Sequence, residues 1–160
     1  MSRKGPMASQ SDIEQQVLAQ IVAREQIRDL VSRYNSNGDT GRIANVRELF
    51  CADAVMRIGR TEVHEGLDQI MSVFTGAGSR QTGRSGPTYV RHFTATHQID
   101  LIDDTYATGR LYFAVITDIG LDHWGVYTDT YRVDDGRWKF ASRKVVLDGR
   151  SPNSLFPAVD

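Results

Sequence analysis

From Tyr89 onward the chain reads as four successive β segments, TYVRHFTATHQIDLI, YATGRLYFAVITDI, HWGVYTDTYRV and RWKFASRKVVL, each rich in β-branched and aromatic residues. Turn signals separate them (DD at 103, GLD at 120, DDG at 134), the pattern of a long antiparallel meander. What precedes the meander has helical period instead. Ile13, Val17, Leu18, Ile21, Val22, Ile27, Leu30, Val31 and Tyr34 recur at the spacing of a helix with one buried stripe. SDIE reads as its capping box, with Ser11 capping and Glu14 reaching back, and NSNGDTG ends it. A shorter helix, RIANVRELF, then a hairpin, DAVMRIG with TEVHEG, and a third helix, LDQIMSVF, complete the first half. Helices first and strands afterwards predict an α+β domain, with N-terminal helices packed on one face of a curved antiparallel or mixed sheet. A strongly bent sheet closed by helices forms a cone too wide for side chains to fill, which leaves a pocket for a small apolar ligand.

A chain of 160 residues suits one such domain. The expected division is a flexible N-terminus at 1–10, the domain at 11–148 and a C-terminal tail at 149–160. Residues 76–88 have no apolar periodicity and many Gly and Ser, so they read as a surface loop, either a lid or a plain connector. A net charge of −1 provides no basic field to gather nucleic acid or anionic lipid. The apolar runs are too short to span a bilayer and the N-terminus lacks the apolar core of a signal peptide, so the reading is cytoplasmic, with a small-molecule partner. Cys51 is the sole cysteine, which excludes an intrachain disulfide and a cysteine-based zinc site; ELFCADAV marks it as a small packed residue. No metal or cofactor is expected. The four histidines lack the close pairing of zinc or iron sites, GAGSRQTGRSG matches neither a phosphate loop nor a dinucleotide fingerprint, and there is no G-x-S-x-G elbow.

Asp39 and His92 are the pair on which chemistry turns. Brought together in an apolar pocket, a carboxylate and an imidazole form a general acid–base pair able to move a proton to or from carbon. The competing reading of Asp39 is a solvated helix cap. Alternation along the strand puts Val90, His92, Thr94 and Thr96 on one face and Arg91, Phe93, Ala95 and His97 on the other, so His92 and His97 oppose each other. His64 and His123 fall at hairpin or turn positions and read as exposed. Tyr127, Asp129 and Tyr131 share one strand face, with Tyr127 a hydroxyl candidate inside the pocket. Arg143 is a candidate to hold a substrate oxyanion or carboxylate, its alternative being a surface salt bridge.

The helix ending in R-Y-x-x-x-x-D, the E-L-F-x-x-D-A-V after it, the R-H-F strand and the closing W-G-V-Y-T-D-T-Y…D-G-R-W-K-F-A-S-R together resemble the SnoaL-like branch of the NTF2-like superfamily, over roughly Ile21 to Leu147. That branch includes scytalone dehydratase, a bile-acid dehydratase, hexachlorocyclohexane dehydrochlorinase and polyketide cyclases. The resemblance implies a cone-shaped α+β barrel and a cofactor-free Asp–His dyad formed by Asp39 and His92, with Tyr34 on a tyrosine that the bile-acid dehydratase uses. It places Arg143 at a pocket arginine. The chain also departs from scytalone dehydratase, whose second pocket histidine, serine and asparagine fall here on Thr117, Gly125 and Tyr127. The implied activity is that of a cofactor-independent lyase or isomerase, dehydratase-like, on a small, largely apolar cyclic substrate. His92 takes the proton, Asp39 orients it and Tyr34 donates a hydrogen bond; Asp39 as the base is the other assignment. A polyketide cyclase or epoxide hydrolase, or a non-catalytic ligand-binding or protein-interaction domain, are the alternatives. By analogy with the superfamily the chain assembles as a homodimer or homotrimer through the open sheet face, at the outer side of the Trp124 to Thr130 strand.

Overall fold

The computed structural model describes residues 9–76 and 87–156. Helices α1 (Gln10–Asp39), α2 (Ile43–Arg47) and α3 (Gly66–Gly76) accompany strands β1 (Phe50–Ile58), β2 (Glu62–Glu65), β3 (Arg91–Leu101), β4 (Tyr106–Thr117), β5 (Gly120–Asp134) and β6 (Arg137–Arg150). The sheet order is β2-β1-β6-β5-β4-β3. Strands β3 to β6 form the expected meander and β1 with β2 the expected hairpin, while β1 runs parallel to β6 and makes the sheet mixed. The sheet stays open, and the helices pack against it as an α+β cone. Among the described residues, no helix is long and apolar enough to cross a membrane. Residues 1–8 of the expected flexible N-terminus and 77–86 of the expected loop lie outside the described residues.

The long helix differs from its sequence reading at both ends. Its cap is Ser9, paired with Asp12, rather than Ser11 with Glu14; Ser9 Oγ accepts from the Asp12 backbone at 3.2 Å. It also runs through NSNG to Asp39, because Tyr34 and Asn35 are buried and tertiary packing outweighs the weak propensity of Asn and Gly there. The apolar stripe is buried only from Ile27 onward. Ile13, Val17, Leu18, Ile21 and Val22 are exposed, since a helix of about 45 Å outreaches the sheet it packs on. The second helix is confined to Ile43–Arg47, with Phe50 already pairing with Phe140 of β6.

A β-bulge corrects the facing of the two β3 histidines. Ala95 pairs with Tyr112 but Gln98 with Arg110, so β3 spends one extra residue there, and Thr96 adopts φ 54. The phase of the strand therefore reverses after Thr96, and His97 points inward like His92. Its Nε2 lies 3.2 Å from the Tyr131 hydroxyl, which itself donates to Asp129 at 2.8 Å. Gly109 on β4 makes room for this contact: a Cβ there would sit 2.7 Å from the Tyr131 ring.

Candidate active site

α1 ends where β3 begins its inward face, and that junction joins the two residues that sequence separates by 53 positions. Asp39 Oδ2 accepts from the backbone N–H of His92 at 2.8 Å, and its Oδ1 lies 2.5 Å from His92 Nδ1. The carboxylate side chain is 7 % exposed and the imidazole 25 %. Asp39 is thus no solvated cap. With Nδ1–H given to Asp39, the tautomer leaves Nε2 as the free lone pair.

Both residues line a cavity of about 350 Å³. Met56, Val73, Phe74, Phe113 and Leu147 give it a mainly apolar wall, and Tyr34, Asn35, Tyr127, His123 and Arg150 add polar groups. Tyr34 sits among the rings of Phe50, Phe74, Tyr127 and Phe140, all edge-on or steeply inclined at 5.5–6.4 Å. Burial pushes its phenol above the usual range, opposed by the nearby Arg143 guanidinium, so the hydroxyl stays a proton donor. Tyr127 stacks on Phe113 at 4.3 Å, and burial raises its phenol as well.

Arg143 and Thr117 occupy different ground from the cavity wall. Arg143 is fully buried, so it is no surface salt bridge; it grips Asp129 through Nε at 2.9 Å and Nη2 at 2.7 Å, and its guanidinium carbon lies 4.2–4.3 Å from the ring centres of Tyr34, Tyr127 and Phe140. It stands behind the two tyrosines and is absent from the lining. Thr117 is likewise buried and away from the lining, donating to Asp122 at 3.2 Å. At Gly125 a Cβ would lie 2.0 Å from the Val146 carbonyl oxygen, so the backbone leaves no place there for a side chain such as serine.

Sequence reasoning missed His123, placed above among exposed turn residues. It lines the cavity with a side chain only 14 % exposed, and His64 is half-buried too, bonded to Glu62 at 2.8 Å. His123 Nδ1 lies 2.8 Å from Asp122 Oδ1, and burial holds the imidazole below its usual range against the pull of that carboxylate. Asp122 is fully buried and also accepts from Ser154 Oγ at 2.6 Å and the Leu155 amide at 2.9 Å, pinning residues 151–156 so that Phe156 packs on His123 at 4.9 Å. Ser154 and Phe156 are therefore part of the cavity wall. His92 pairs with Val115 and Val115 with His123, which sets both imidazoles on one row across β3, β4 and β5. The Asp-His dipeptide was the available signal. Among the described residues, no group of three His, Cys, Asp or Glu is placed to hold a metal ion.

A scytalone dehydratase-like protein of Novosphingobium aromaticivorans superposes with a TM-score of 0.77 at 20 % identity, covering 89 % of this chain and 95 % of its own. An NTF2-like protein with a cystatin-like fold from the same species gives 0.73 at 19 %, over 93 % and 96 %. The hexachlorocyclohexane dehydrochlorinase LinA-type3 of Novosphingobium barchaimii gives 0.71 at 17 %, over 89 % and 98 %. These likenesses show the NTF2-like, cystatin-like fold. A comparison with curated proteins found no match. The model of the SnoaL-like domain matches residues 19–144, a span that holds Tyr34, Asp39, His92 and Arg143, and the chain belongs to that family.

Proposed function

We propose that the protein is a cofactor-independent lyase or isomerase of the dehydratase type, acting on a small, largely apolar cyclic substrate. The observation that carries this reading is the Asp39–His92 pair, hydrogen-bonded at 2.5 Å on the wall of an apolar cavity. His92 Nε2 takes a proton from a carbon next to an activating group, and Asp39 orients the ring and stabilises the imidazolium that forms. Both Asp39 oxygens are engaged by His92, through the ring and the backbone, which favours the imidazole over the carboxylate as base. Tyr34, kept protonated by burial, donates to the oxyanion or leaving group. The breaking C–H bond leaves its electron pair to form the new double bond, and the leaving group departs with its own pair. Family membership and the dehydratase-type and dehydrochlorinase neighbours support the same class.

The test needs no prior substrate. A panel of cyclic β-hydroxy and β-halo ketones is incubated with the protein in D2O, and deuterium incorporation and product are followed by NMR. The wild type is expected to catalyse exchange or elimination on at least one member, with Asp39→Asn and His92→Ala slower by about 100-fold or more. Equal rates in all three proteins would remove the dyad.

A further inference from the structure

The carboxylates around the cavity are already engaged: Asp39 by His92, Asp122 by His123, Ser154 and the Leu155 amide, and Glu62 by His64 at 2.8 Å. Arg143 is likewise committed, to Asp129. Its Nη1 and the Oδ1 of Asn35 are buried without a hydrogen-bond partner, but both atoms are sealed from solvent and so closed to a ligand in the cavity. Arg150 differs from them. It lines the cavity, half-buried, and its hydrogen bond runs from Nη2 to the Phe156 carbonyl oxygen at 2.7 Å. Among the described residues no carboxylate pairs with it. A guanidinium has five N–H donors and a permanent charge, so most of its bonding capacity is left over. A cation on a largely apolar wall is costly until a counter-ion meets it. We infer that Arg150 is a substrate-binding residue that takes a carboxylate group of the ligand.

Register gives the ligand its direction. His92 pairs with Val115, Val115 with His123 and His123 with Arg150, so one row across β3, β4, β5 and β6 carries the dyad imidazole at one end and the guanidinium at the other. Paired residues face the same side of a sheet, and at a strand spacing of about 4.8 Å the row spans about 14 Å between backbones. The substrate is a cyclic carboxylic acid lying along this row, with the carbon that loses its proton at His92 and its carboxylate at Arg150. Phe113 and Leu147 meet the ring between them. A single guanidinium among apolar neighbours suits one planar, singly charged group; a phosphate dianion would keep unmet acceptors there. The Phe156 carbonyl holds the guanidinium in place beforehand, which lowers the cost of ordering it on binding. Because the charge lies at the far end of the row from the reacting carbon, it orients the substrate and takes no part in the proton transfer.

This deepens the proposed function, on which the placing of the reacting carbon rests, and binding tests it without turnover. Equilibrium dialysis at about pH 7.5 compares 2-naphthoate, ionised there, with 2-naphthamide, a neutral compound of the same shape. The wild type is expected to bind 2-naphthoate about tenfold tighter. Arg150→Gln, which drops the charge but keeps an N–H for the Phe156 carbonyl, is expected to bring the ratio close to one while 2-naphthamide binding stays within about twofold of the wild type. Arg150→Met gives the same ratio if the glutamine variant does not fold. A wild type without preference, including one that binds neither compound, overturns the inference. So does a variant that keeps the preference, or one that loses both compounds equally, the signature of an arginine that only braces residues 151–156. Failure of the dyad reading would appear instead in the isotope-exchange rates, which this ratio does not depend on.

Discussion

Asp129 receives both prongs of the Arg143 guanidinium, at 2.9 and 2.7 Å, and neither residue reaches solvent. A charge stripped of water in this way is tolerable only with its partner present. Arg143 also backs Tyr34 and Tyr127 from behind, so the pair shapes the cavity without touching its contents. Asp129→Ala is expected to destabilise the fold by about 3–5 kcal/mol in urea titration. A loss below about 1 kcal/mol would show that the pair does not brace the cavity wall.

Removing the acid–base pair should separate chemistry from folding. His92→Gln, close in shape, is expected to lower kcat/KM by about 100-fold or more while leaving the circular dichroism spectrum and urea midpoint near those of the wild type. Tyr34→Phe, which deletes one hydroxyl, is expected to cost less, about tenfold, and mainly in kcat. Steady-state kinetics on the substrate found by the exchange panel measures both.

Stability should fall with acid in the range where histidines titrate. Burial depresses both His97 and His123 below the ordinary imidazole value of 6.5. The unfolded chain then binds more protons than the folded one as pH drops through that value, so their contribution is full above it and is lost below it. The urea midpoint is expected to be higher at about pH 7.5 than at about pH 5.5, and His97→Gln with His123→Gln to flatten the difference. An unchanged slope in the double variant would contradict this assignment.

Asp122 ties the C-terminal segment to the cavity wall. Asp122→Ala removes the acceptor for Ser154, Leu155 and His123 together. Hydrogen exchange at the Leu155 amide is expected to speed up while amides in the centre of β4 keep their protection. If Leu155 exchanges at the wild-type rate, the segment is held by something other than this carboxylate.

The outer face of the sheet carries Phe93, Tyr112 and Val146, exposed at 61 %, 43 % and 37 %. Tyr112, Val126 and Val146 are register partners across β4, β5 and β6, so the apolar surface is continuous there. Analytical ultracentrifugation is expected to find a dimer or trimer, and Tyr112→Glu with Val146→Glu to shift it toward monomer. A monomeric wild type would refute assembly through this face.

Much of this was legible because the meander announces itself: four strands with turn residues between them leave few other folds, and the three helices follow from period alone. Asp39 and His92 were legible as a pair through the R-Y-x-x-x-x-D and R-H-F motifs. The misreadings share a cause, which is that burial is decided by the partner and not by the segment. Ile13 to Val22 have the period of a buried stripe but no sheet beneath them. His123 sits beside a turn yet is roofed by Phe156, which follows it by 33 positions. Arg143 looked like either a ligand clamp or a surface ion pair, and nothing local in the sequence showed that Asp129 would be waiting for it on the neighbouring strand.

The extra residue at Thr96 makes one strand serve two neighbourhoods: upstream it delivers His92 to the hollow, downstream it delivers His97 to the dry Tyr131–Asp129–Arg143 chain. Deleting Thr96 would restore plain alternation and keep both histidines facing inward, whereas inserting a further residue there would turn one of the two stretches inside out. An alignment of this chain with a relative whose β3 carries no bulge therefore needs its gap at Thr96, or inward positions on one side of it will be matched to outward ones.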